Sequence, residues 1–210
     1  MRDSITLKMI TLLWIIWFIQ LFVNGEEYVF GFVPSKALHE PWMFVTSMFL
    51  HDDTSVEHVF FNTFALLIFG PYLERLLTRK QYLMLFFAAG IAGNIAYFFI
   101  NRDPNIPAIG ASGAIYGMIG TLAILRPTLM IYLYYVPIPL LFAALIFLIK
   151  EFIGIFVPSP IASQAHLAGL LLGMVYGYYL KKKGSYIHAR FRRPKRYYRQ
   201  DYDYDYYYYY

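Results

Sequence analysis

Six apolar runs, at 5–23, 57–77, 81–100, 112–126, 129–157 and 164–180, dominate this 210-residue chain and constrain its fold more than any other feature. Crossing the roughly 30 Å hydrocarbon core of a bilayer takes about 20 apolar residues in a helix. Inside lipid, only helices and closed barrels satisfy every backbone N–H and C=O. Runs of this length predict an all-α membrane protein, a bundle of six transmembrane helices. The composition agrees, with 59% hydrophobic and only 15% charged residues, where soluble domains carry about 25% charged. The first run, ITLKMITLLWIIWFIQLFV, has no small-residue cleavage site and reads as a retained helix rather than a secretory signal.

Basic residues orient the bundle. With the N-terminus cytoplasmic, fifteen of the 18 Lys and Arg fall on inner segments, and only Lys36, Arg102 and Lys150 lie outside. That bias is the positive-inside signal, and it places both termini in the cytoplasm. The domain division is a six-helix unit over 1–181 and a basic, Tyr/Asp-rich tail over 182–210. The tail lacks apolar periodicity, so it is expected to be disordered, its basic half drawn to anionic headgroups. The chain has no cysteine, which excludes disulfides, metal-thiolate sites and a Cys nucleophile. Together with the short soluble portion, this fits a prokaryotic cell membrane. Segment 24–56 lies outside, but its PWMFVTSMFL stretch is too apolar for a free loop. A short helix in the outer interface, anchored by Trp42, is expected between the first two spans.

Polar residues inside the runs converge on one depth. Ser112 lies 14 residues before Arg126 at the inner edge, about 21 Å along a helix. The fourth span therefore stops roughly 10 Å short of the outer surface, given a core about 30 Å thick. The loop preceding it must dip inward, and irregular backbone at that depth needs protein or a wet cavity around it. His166 lies about 22 Å up the sixth span by the same count, and Asn62 and His58 about 18 and 24 Å up the second. His58 and Asn62, four apart, share a face. Each residue alone has an ordinary explanation as interhelical glue or a helix-end partner. Glue has no reason to be coplanar, and intramembrane polar groups mark function by default. Gly113 and Gly117 form one smooth stripe and Gly169, Gly173 and Gly177 another, so the fourth and sixth helices can approach closely.

A serine hydroxyl is a weak nucleophile until a base takes its proton. His166 is the only histidine in the last three spans and the natural base. No carboxylate is placed at matching depth by this count, so a Ser–His dyad is expected rather than a triad. The Ser112 N–H at a helix start, with His58 and Asn62, can supply oxyanion donors. Tyr116, one turn beyond Ser112, can stack on the imidazole or simply pack in the core. Lys150 and Glu151 interrupt the fifth span near its outer end and read as a pair facing the headgroups, with a gating role as the alternative. The constellation predicts serine hydrolysis within the membrane, with no metal or cofactor and no nucleic acid partner.

Three motifs, HVFFN (His58, Asn62), GASG with Tyr116 four residues after the serine, and AHLAGLLLG around His166, resemble the rhomboid intramembrane serine proteases. GPYLERL and the preceding interfacial segment add to the resemblance, which covers roughly residues 40–180. It implies a six-helix bundle in which Ser112 is the nucleophile and His166 the base. His58, Asn62 and the Ser112 N–H would form the oxyanion hole, with Tyr116, Gly110, Gly113, Gly169 and Gly173 in support. Substrates would be single-span membrane proteins, entering between the second and fifth helices and cut near the outer end of their helix. Two features depart from the family pattern: Trp42 is followed by Met43 rather than Arg, and the DDTSVE spacer between His51 and His58 is long. Both bear on the first loop rather than on the chemistry. The alternatives are a catalytically silent relative that binds membrane helices and a small transporter using the polar pit. Retention of both Ser112 and His166 opposes the first, and the absence of an inverted repeat or an inner polar path opposes the second. No HExxH is present to suggest a zinc enzyme.

Overall fold

The computed structural model describes residues 3–23, 25–133, 135–157, 159 and 161–186, leaving most of the predicted tail outside the described residues. Among the described residues there are six substantial helices: α1 (Ile5–Gln20), α3 (Val56–Leu76), α4 (Arg79–Ile100), α5 (Ser112–Leu125), α6 (Leu140–Gly154) and α7 (Ser163–Lys183). A four-residue helix, α2 (Met43–Thr46), two 3-10 turns (Glu26–Tyr28 and Ser47–Phe49) and a hairpin of β1 (Met130–Leu133) and β2 (Val136–Pro139) accompany them.

Local chemistry explains most boundaries. The Ser55 hydroxyl accepts the Glu57 N–H at the start of α3. At the start of α4, Thr78 and Gln81 form a reciprocal capping box, which satisfies donors the helix itself cannot. Gly184, at φ 60°, closes α7, a left-handed position that glycine adopts without a Cβ penalty. The start of α1 is held from outside: Glu74 on α3 accepts from the Ser4 hydroxyl at 3.0 Å and from the Thr6 N–H. A carboxylate there also meets the positive end of the helix dipole.

The fifth predicted span is corrected. Residues 129–157 do not form one helix: the stretch after Arg126 turns into the hairpin, with Met130 opposite Pro139 and Leu133 opposite Val136. Pro137 and Pro139 lack the N–H a helix interior requires, and Ile, Tyr and Val favour a pleated conformation. Apolarity alone did not separate the two states, and α6 begins only at Leu140. The all-helical expectation thus holds apart from this hairpin.

Helix α5 is the buried centre, with eleven of its 14 residues buried. It packs against α4 and α7 over glycines. A Cβ on Gly169 would collide with the Gly113 carbonyl, and one on Gly173 with the Gly117 carbonyl. Thr121 on α5 donates its hydroxyl to the Gly173 carbonyl at 2.9 Å, fastening the same contact. Leu66, Phe86, Met118, Leu122, Leu140 and Leu170 fill the core around it with no exposed surface. The outward faces are apolar too: Phe61, Phe99, Phe142, Phe156 and Val175 are each more than half exposed. Helices α3 and α4 are long and apolar enough to cross a membrane.

The segment before α3 is folded. The Trp42 indole donates to the Val29 carbonyl at 3.0 Å, and Asn94 on α4 donates to the Phe44 carbonyl and the Ser47 hydroxyl, each at 2.9 Å. Phe32 and Ala108 exchange backbone hydrogen bonds, tying this loop to the one that precedes Ser112.

Candidate active site

Ser112 is the first residue of α5, and His166 lies in the first turn of α7. Because glycine lines the α5–α7 contact, the two helices come close enough for their side chains to meet. The Ser112 Oγ and His166 Nε2 are 2.7 Å apart, a full hydrogen bond. The Tyr116 ring lies flat on the His166 imidazole, with centroids 4.4 Å apart and planes 8° from parallel. Stacking fixes the plane of the imidazole, and the bond to Ser112 fixes its rotation.

Gly110 shapes the other side. Its φ of +116° is open to glycine and strained for other residues, and its N–H donates to the Ser47 carbonyl at 2.9 Å. A Cβ there would stand 2.8 Å from His58 Nε2 and 3.8 Å from Ser112 Oγ. His58 therefore faces the same small space as the serine. The DDTSVE spacer turns on Asp52, whose carboxylate accepts both the N–H and the hydroxyl of Thr54. The Thr54 hydroxyl bond holds the Asp52 carboxyl below its usual range. His51 is fully buried, and burial, with His58 beside it, pushes its imidazole pKa down to about 3.

Asn62, nearly buried on α3, donates its amide nitrogen to the His58 carbonyl at 2.8 Å along its own helix. Its buried Oδ1 has no hydrogen-bond partner among the described residues. Gly113 lies close to Ala165, and Gly169 and Gly173 form the α7 half of the seam. Of the sequence-predicted residues, the structure thus joins Ser112, His166 and Tyr116 directly. His58 and Gly110 adjoin them, the glycines act as spacers, and Asn62 is bonded back to His58.

One residue of the site lies elsewhere than its place in the sequence suggests. Glu151 does not face headgroups. It is fully buried, with Oε1 accepting from the Tyr116 hydroxyl at 2.7 Å and from Lys150 Nζ at 2.8 Å. Its Oε2 stands 3.3 Å from His166 Nδ1. The expectation of no carboxylate near the imidazole is therefore corrected. Its cause is the hairpin: from Leu140, Glu151 is only eleven residues up α6, about 16 Å along the axis. Counted from residue 129 it would have cleared the hydrocarbon core. Pro137 and Pro139 were the signal that the helix starts late.

A serine at a helix start bonded to a histidine on the adjoining helix, within a bundle apolar inside and out, defines a class of helical proteins with a half-buried Ser–His site. Residues 38–183 match the family model described as a Rhomboid domain, and the chain belongs to the rhomboid family. The family is membrane-integral and includes both proteases and inactive relatives. The chain is 33% identical over 98 residues to the putative rhomboid protease YdcA of Bacillus subtilis, covering 47% of this chain and 48% of that one. It is 40% identical over 86 residues to the rhomboid protease GluP of the same organism, covering 41% and 16%. It is also 34% identical over 91 residues to the inactive RHOMBOID-like protein 8 of Arabidopsis thaliana, covering 41% and 24%. The matches thus span half or less of these relatives' lengths.

Proposed function

We propose that this chain is an intramembrane serine endopeptidase that cleaves single-span membrane proteins at or near the outer end of their transmembrane helix. The observation that carries this reading is the 2.7 Å contact between Ser112 Oγ and His166 Nε2. His166 takes the hydroxyl proton as Ser112 Oγ bonds to the scissile carbonyl carbon, and the carbonyl electron pair moves onto oxygen. The oxyanion is met by the Ser112 N–H, which has no acceptor within its own helix, by His58 and by Asn62. The oxyanion then collapses back to a carbonyl as the C–N bond breaks, His166 returns the proton to the leaving amine, and the acyl group stays as an ester on Ser112. A water molecule, activated by the same histidine, releases the acyl group.

The setting in this reading is a bilayer crossed six times, by α1, α3, α4, α5, α6 and α7. The exposed Phe, Val and Leu side chains on the outward faces support it, since contiguous apolar surface requires lipid or a partner. Segment 24–56 lies at the outer interface, and both termini are cytoplasmic. Residues 1–181 form the protease unit, and the basic tail over 182–210 rests against anionic lipid. A silent helix-binding relative is the second reading, favoured only by the resemblance to an inactive Arabidopsis protein.

The test is cleavage of a single-span reporter by the purified chain in proteoliposomes, with Ser112→Ala as the control. Cleavage that survives Ser112→Ala at the wild-type rate excludes this mechanism. A folded wild-type protein that neither cuts the reporter nor reacts with a fluorophosphonate at Ser112 supports the silent reading.

A further inference from the structure

We propose that Glu151 is a positioning residue that makes the Ser112–His166 pair a Ser–His–Glu relay, holding the imidazole with its proton on Nδ1. The inference rests on the protease reading above and deepens it.

Buried polar atoms are rarely left without a partner. Besides Asn62 Oδ1, two atoms of this site, His166 Nδ1 and Glu151 Oε2, have no other hydrogen-bond partner among the described residues. They face each other at 3.3 Å, too long and too poorly aligned for a full hydrogen bond but short enough to become one. The remainder of the carboxylate is already committed, since Tyr116 and Lys150 both donate to Oε1. That arrangement fixes the plane of the carboxylate and leaves Oε2 free for the histidine. Gly154 allows α6 to sit this close: a Cβ there would strike Ser163 Oγ and lie 3.9 Å from Glu151 Oε2.

The consequence is a choice of tautomer. Ser112 must donate its proton to Nε2, so the neutral ring has to carry its own proton on Nδ1. Oε2 has only lone pairs to offer and favours that form. As Nε2 takes the Ser112 proton, the ring becomes an imidazolium and its Nδ1–H tightens onto the carboxylate. Glu151 stays ionised throughout and takes no proton, the part an acidic member plays in a triad. Tyr116 joins the two groups by stacking on the imidazole and hydrogen-bonding the carboxylate.

Glu151→Gln tests this sharply. Lys150 and Tyr116 both donate, so they hold the amide oxygen at the Oε1 position and turn the NH₂ toward His166 Nδ1. That donor forces Nδ1 to accept and places the ring proton on Nε2, facing Ser112. A role confined to packing predicts little change, because shape and both existing hydrogen bonds survive. The relay predicts that kcat falls about 100-fold or more with KM unchanged. Glu151→Asp, which restores a lone-pair acceptor, recovers part of the loss. Cleavage by Glu151→Gln within about threefold of wild type overturns the proposal.

A second measurement needs no variant to fold. Nitrogen-15 correlation spectra of histidine-labelled wild-type protein should show His166 as the Nδ1–H form, and an Nε2–H form overturns the proposal. This result also separates the two claims. If fluorophosphonate fails to label wild-type Ser112, the protease reading falls while the tautomer still decides the role of Glu151. If labelling occurs and Glu151→Gln is unimpaired, only the relay falls.

Discussion

The backbone N–H of Asp52 donates to Nδ1 of His58 at 3.2 Å, and this bond decides what His58 presents to the serine. A neutral imidazole that accepts at Nδ1 carries its proton on Nε2. His58 Nε2 is the atom that borders Gly110, beside Ser112 Oγ. The histidine is thereby prepared to donate toward the place where an oxyanion would form. His58→Ala is expected to lower kcat about 10²–10³-fold. The Ser112–His166 contact should survive, so fluorophosphonate labelling of Ser112 persists at a reduced rate. A reporter assay in parallel with labelling checks both halves.

Gly110 allows that arrangement, and replacing it should damage the site in a characteristic way. A methyl at this position meets His58 Nε2 at 2.8 Å and its Cε1 at 3.0 Å, on a backbone at φ +116°. The strained backbone costs about 1–3 kcal/mol, and the ring must also swing away. Gly110→Ala is expected to lose cleavage nearly as far as His58→Ala does. In the double variant the two losses should overlap rather than multiply, because both act through the same ring. Multiplying effects would show that Gly110 acts independently of His58.

What the sequence made legible depended on which physical signal each residue carried. Depth counting puts Ser112 and His166 at one level, and their side chains meet in the structure; the count works where a helix runs unbroken to a marked inner edge, as α5 does to Arg126 and α7 does to Lys181. The same count misplaces Glu151, because residues 129–157 are not one helix. The hairpin lies between, and only Pro137 and Pro139 betray it. The seam glycines were readable from their four-residue spacing. The contact between the loop before α3 and the loop before Ser112, made by Phe32 and Ala108, is a backbone pairing with no side-chain signature.

The seam itself yields a stability prediction. Gly169 and Gly173 abut the carbonyls of Gly113 and Gly117, and a backbone carbonyl cannot rotate aside as a side-chain tip can. Gly169→Leu forces α7 away from α5, at a cost of at least about 1–3 kcal/mol of overpacking. It also carries His166 away from Ser112, so activity is lost together with thermal stability. Gly184→Ala is the contrasting change: it sits at the end of α7, and no atom of the described residues lies within 4 Å of a new Cβ. It should cost only the left-handed backbone penalty, about 1–2 kcal/mol, and leave cleavage intact. Thermal melts in detergent beside reporter cleavage separate a seam effect from a general helix effect.

His51 predicts how the fold responds to acid. It lies in the loop before α3, buried, beside the Phe49 backbone and with the His58 ring 5.0 Å away. Gln20 fastens the same segment by exchanging hydrogen bonds with the His51 backbone while also donating to Glu26. In the folded chain the imidazole resists protonation down to about 3, against 6.5 ordinarily. The unfolded chain therefore binds the extra proton first as pH falls, and linkage makes folding weaker wherever the unfolded state holds more protons. This contribution is complete above about pH 6.5 and declines progressively toward pH 3. His51→Phe keeps a ring of similar shape against His58 and removes the titration. Melting temperatures from pH 7 down to pH 4 should fall steeply for wild type and less steeply for His51→Phe. Parallel curves for the two proteins would place the acid sensitivity elsewhere in the chain.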